Sequence, residues 1–148
     1  MKSTQNWNYH FSKSKEFFHQ GDFKKTLMEL KVCMGGIEKE FTDVDKLPPR
    51  KALEVTLKFS NVLYWRTLCF YSAGSSCCAR KNVYFLYDSL RSLFLNSRYD
   101  GNFRNTLREE LKRVTDLYQK FGETSGPDNL INDFKRIYYT KILINSSF

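Results

Sequence analysis

Apolar residues return every three or four positions along most of this chain, and short polar stretches divide the pattern into segments. In the first segment Trp7, Phe11, Ser14 and Phe18 fall on one face of a helix, with Phe17 beside them and Lys13, Lys15, Glu16 and Gln20 between. Gly21 suits the left-handed residue that closes a helix, and Asp22 can accept from the first free amides of the next one. A second stripe follows at Phe23, Leu27, Leu30 and Met34, and Gly35-Gly36 is expected to interrupt that helix before Ile37–Phe41. The stretch TDVDKLPP (42–49) is a connector, with Pro48 or Pro49 placed in the first turn of the next segment.

The third segment, Arg50–Ala73, is the longest. Leu53, Leu57, Tyr64, Leu68 and Tyr71 form one stripe, and Val55, Phe59, Val62 and Cys69 a second beside it. Between Val62 and Tyr71 only Arg66 and Thr67 are polar, which predicts a central helix contacted on several sides. After Gly74-Ser75-Ser76 comes a helix over Cys77–Asn96 with Val83, Leu86, Leu90 and Leu93 or Phe94 inward. The turn SRYDGN (97–102) precedes a helix over Phe103–Phe121, expected to end at Gly122. Its stripe is Phe103, Leu107, Leu111, Val114, Leu117 or Tyr118, and Phe121, and Glu109–Arg113 and Asp116–Lys120 have the favourable acid-before-base spacing. A last helix is expected over Asp128–Ile144, with Ile131, Phe134, Ile137, Tyr138 and Ile142 on one side. The pattern predicts an all-α protein of about six helices in three antiparallel pairs, a helical-repeat array or a bundle, within one domain spanning 1–148.

The run FFHQGDFKKTL (17–27) resembles the turn of a tetratricopeptide repeat, in which a helix ends at a Gly-Asp-like pair and an aromatic and a small residue pack the second helix on the first. Ser14 and Cys33 stand where that family favours small residues, and Phe17 where it favours an aromatic. Thr26 replaces the usual Ala, and Glu38 stands where a closing Pro is common. The resemblance covers about one repeat, residues 7–36, and implies a scaffold that binds segments of other proteins.

Composition narrows this further. At 148 residues, with 41% hydrophobic and 16% aromatic residues, the chain can bury a sizeable core. The scarcity of Gly (7) and Pro (3) disfavours a fold built on many tight turns. No apolar run approaches the roughly 18 residues of a membrane span, and the first residues lack a signal-peptide block. Cys33 and Cys69 read as buried small hydrophobes, Cys77-Cys78 has no metal-ligand spacing, and His10 and His19 are the only histidines. A reducing compartment, cytoplasm or nucleus, is therefore expected, with neither metal nor cofactor. No nucleophile, zinc or phosphate-loop motif is present, which points away from an enzyme. The acidic pairs Glu38/Glu40 and Asp43/Asp45 fit helix capping or a cation on a partner better than acid–base work.

The net charge of +8 is spread over the chain rather than concentrated. Other proteins, acidic segments among them, are the first partner class, and a larger complex or oligomer is compatible with it. Candidate partner-binding residues are Lys24, Lys25, Lys31, Arg80, Lys81 and Arg91. The alternative is a nucleic-acid-associated module using Lys51, Lys58, Arg80, Lys81, Arg91 and Arg98, which requires those cations to form a strip beside exposed aromatics.

Overall fold

The computed structural model describes the backbone of residues 2–96 and 99–125, and the side chains of 6–96 and 99–120. It is all-helical: α1 (Lys2–His19), α2 (Phe23–Thr42), a short 3-10 turn (Val44–Lys46), α3 (Pro49–Ser72), α4 (Ser76–Phe94) and α5 (Gly101–Ser125). The helix expected over 128–144 lies outside the described residues, as does Arg98. The chain divides into two compact units, residues 1–82 and 83–148.

The first unit follows from its turns. Gly21 adopts φ 79°, so the Asp22 amide reaches back to the Phe17 carbonyl and the Gly21 amide to that of Phe18. This double closure satisfies carbonyls that the end of α1 would otherwise leave open. Asp22 then turns donor-acceptor roles around: its side chain accepts from the Lys25 amide, capping α2. Gly74, at φ 86°, ends α3 in the same manner, with Ser75 bonded to Phe70 and Gly74 to Tyr71. Pro49 opens α3 at its first position, where a missing N–H costs nothing.

α1 and α2 are antiparallel. Phe18 meets Phe23 next to the turn, His10 pairs with Glu29 further along, and Trp7 lies over Gly36 at the far end. α2 and α3 are antiparallel as well: Phe41 stacks on Phe59 at 3.8 Å, Glu40 meets Lys51 at 3.6 Å, and Cys69 Sγ donates to the Phe23 carbonyl. α1 also touches α3 directly, through Phe18 on Trp65 and Lys58 Nζ over the Trp7 ring.

α2 departs from the expected pattern twice. It runs unbroken through Gly35-Gly36, because Ile37 beyond them is buried and extends the core row. The two interior glycines together cost about 2 kcal/mol against Ala, which the roughly 1.5–3 kcal/mol from burying Ile37 offsets together with the stacking of Phe41 on Phe59 further along α2. Its inward row is Thr26, Leu30, Cys33 and Ile37, not Phe23, Leu27, Leu30 and Met34. Small residues at 26 and 33 let α2 approach its neighbours closely, and this rotation leaves Leu27 and Met34 half-buried at the edge. In α3 the buried side is likewise the row with small members, Ala52, Val55, Thr56, Phe59, Ser60, Val62, Leu63, Thr67 and Cys69. Leu53, Leu57, Tyr64, Leu68 and Tyr71 flank it half-exposed. Thr56 and Thr67 bury their hydroxyls by bonding the carbonyls of Ala52 and Leu63.

In the second unit α4 and α5 are antiparallel, with Tyr84 on Tyr118 at one end and Arg104 and Arg108 stacked on Phe94 at the other. Val83, Leu86, Leu90, Leu93 and Phe94 are buried as expected, as are Phe103, Leu107, Leu111, Val114, Leu117 and Tyr118, while the Phe121 side chain lies outside the described residues. Asp100 caps α5 by accepting from the Phe103 amide at 2.9 Å, so Gly101 is the first helical residue rather than part of a loop. α5 also continues past Gly122 to Ser125. Arg113 pairs with Glu110 at 2.9 Å, one residue from the expected Glu109, because Glu110 is the more buried side of that turn.

Candidate protein-binding groove on the first unit

Rotation of α2 onto its small residues opens a groove between α2 and α3. Leu27, Lys31, Met34, Gly35 and Glu38 line one wall, and Arg66 and Phe70 the other, around a volume of about 480 Å³. Leu27, Met34 and Phe70 supply an apolar floor, while Lys31, Glu38 and Arg66 are exposed at the rim. The Arg66 guanidinium lies 5.7 Å from the Phe70 ring centre, holding the cation against the floor it borders. Met28 and Val32, on the adjoining face of α2, are 61% and 50% exposed. Among the described residues a methyl added at Gly35 would meet nothing within 4 Å, whereas at Gly36 it would touch the Trp7 ring at 3.7 Å.

The predicted partner-binding residues fall on α2 and α4, the last of them, Arg91, in the second unit. Lys31 is in the groove wall, and Lys24 lies exposed on the same face two turns before it. Lys25 folds back toward Asp22 at 3.8 Å and over the Phe17 ring. On α4, Arg80 is half-buried and Lys81 exposed, and in the second unit Arg91 pairs with Asp88 at 3.6 Å. Of the cations considered for nucleic acid, Lys51 is held by Glu40 and Glu54, and its ammonium is stabilised by them. Lys58 sits between Glu54 and the Trp7 ring. Among the aromatics of α4, Tyr87 is buried and Phe85 exposed.

The nucleophile candidates are positioned for packing. Cys33 donates to the Trp7 carbonyl, and burial, with the Glu29 charge adding to it, pushes its thiol up to about 12. Burial pushes the Cys69 thiol up to about 11. Such thiols stay protonated and weakly reactive near neutral pH. Cys77 and Cys78 are exposed and free. His10 is engaged with Glu29, and His19 rests on the edge of Trp65. Glu40 and Asp43 meet Lys51 and Lys46 of their own chain, where the sequence suggested helix capping or a cation on a partner. Among the described residues no three His, Cys, Asp or Glu side chains cluster to hold a metal, and no helix is long and apolar enough to cross a membrane.

Leu27, Met34, Phe70, Arg66, Gly35 and Glu38 are absent from the sequence-derived set of binding residues. Periodicity alone assigns Leu27 and Met34 to the core stripe; only the preference of close-packed helices for Thr26 and Cys33 moves them outward. No family model, curated protein or solved structure matches the chain.

Proposed function

We propose that this chain is a non-enzymatic protein-interaction adaptor on a tetratricopeptide-like helical array, with the α2–α3 groove holding a segment of its partner. The observation that carries the proposal is the open apolar floor of Leu27, Met34 and Phe70 between two otherwise well-packed helices. Apolar side chains left at the mouth of a concave surface gain about 25 cal/mol per Å² when a partner covers them, and exposed Met28 and Val32 extend the strip. The tetratricopeptide comparison draws support from the Gly21-Asp22 closure and from Ser14 and Cys33, both buried where α1 meets α2. The protonated, buried thiols of Cys33 and Cys69 favour a binding role over a nucleophilic one. A nucleic-acid role draws less support, since Lys51 and Lys58 are engaged with Glu40 and Glu54.

The test places a photo-reactive amino acid at position 28 or at position 81 of the full chain in cells, followed by mass spectrometry of the adducts. Cross-links from position 28 to a defined segment of another protein, absent from position 81, are expected. Adducts to RNA, or equal protein adducts from both positions, would contradict the proposal.

A further inference from the structure

We infer that the occupant of the α2–α3 groove is an acidic amphipathic helix, with its carboxylates at Lys31 and Arg66 and its backbone pressed against Gly35. This rests on the reading of the groove as the protein-binding site and adds the chemistry of what fills it. Both walls are helices whose backbone groups are already bonded within them, so they offer no strand edge to an extended peptide. A helical segment satisfies its own backbone and needs only side-chain contacts. The lining of α2 runs from Leu27 to Glu38, about 16 Å along the axis. Leu27 and Met34 are seven residues apart, about 10 Å, the spacing at which a second helix presents residues i and i+7.

Charge selects the partner's sign. The rim carries Lys31 on one wall and Arg66 on the other, and Lys24 continues the basic face of α2 toward its N-terminus. Glu38 stands alone at the opposite end, which disfavours an acidic residue there and orients the occupant. Gly35 is an independent indication. It weakens the helix that carries it, and none of the described residues lies where its side chain would be. A glycine in a helix wall lets another backbone come close, and the groove is on its open side.

The experiment selects from a displayed library of helical peptides, randomised in charge on the polar face, against the full chain. Binding of the selected peptides is then measured by fluorescence anisotropy to the wild type, to Lys31→Glu with Arg66→Glu, and to Gly35→Leu. The first variant changes only exposed residues and should keep the wild-type thermal melt, and the second fills open space on a helix and should melt no lower than the wild type. Enrichment of acidic amphipathic helices, weakened about tenfold or more by either variant, is the expected result. Neutral or basic helices that Gly35→Leu blocks would overturn the acidic occupant while leaving the groove as a binding site. Binders indifferent to Gly35→Leu, or no binders at all, would overturn both. Light scattering supplies the remaining outcome: a dimer that Gly35→Leu dissolves identifies the occupant as a second copy of this chain and overturns the inference.

Discussion

Single residues set the conformation of the first hairpin. Gly21 is left-handed at the end of α1, and a side chain there is strained by about 1 kcal/mol. Removing the Asp22 cap costs a similar amount. Thermal or urea unfolding of Gly21→Ala and Asp22→Ala should each show a loss of about 1 kcal/mol; a neutral Gly21→Ala would mean the closure is not formed. Gly35→Ala should act in the opposite direction, gaining about 0.5–1 kcal/mol, because its Cβ meets open space. The thiols divide cleanly. Cys77 and Cys78 should react with a thiol reagent in the native protein at pH 8, and Cys33 and Cys69 only after unfolding. Their linkage to stability has a definite sign. Below their ordinary value of 9.0 these thiols are protonated in both states and stability is unaffected. Above it the unfolded chain loses protons that the folded chain retains, so stability falls as pH rises from 9.0 to about 12. Stability measured from pH 8 to 11 should decline more in the wild type than in a Cys33→Ala, Cys69→Ala variant.

Elements were readable from spacing to different degrees. The stripes of α4 and α5 stand in the sequence as they stand in the fold, since Leu, Val and aromatic residues there are both the most apolar and the most buried. The helices of the first unit are different. Thr26, Cys33, Ala52, Thr56, Ser60 and Thr67 are fully buried, yet hydropathy ranks most of them below the neighbours they displace. Close approach of backbones favours small side chains even when larger apolar ones are one step away. That competition moved Leu27 and Met34 out of the core and created the groove, which is why the site was the least legible part. Lys31 stands out in the sequence by its charge, whereas nothing there separates Leu27 and Met34 beside it from core positions. The continuity of α2 through Gly35-Gly36 was hidden for another reason: burial of Ile37 outweighs glycine propensity, and only tertiary structure shows that burial. Amide hydrogen exchange should find residues 33–41 protected as one helix; rapid exchange confined to 35–37 would restore the interrupted helix. Leu30→Ala, in the buried row, should cost about 2–5 kcal/mol, against well under that for Leu27→Ala at the edge.

For the molecule, the consequence of these packing choices is an all-helical protein whose first unit presents a lined groove rather than a closed face. The groove combines an apolar floor, a rim of Lys31, Arg66 and Glu38, and a glycine in the wall, and the buried thiols of the same unit are kept neutral. The central claim, that this groove binds a protein helix, is tested most directly by NMR of the full chain with methyl-labelled methionine. Of its three methionines, Met34 lines the groove and Met28 lies exposed on the adjoining face of α2. On titration with a selected amphipathic helical peptide, the Met34 and Met28 methyl signals should move together and saturate with the anisotropy curve. Saturable peptide binding that leaves the Met34 signal in place would contradict the account.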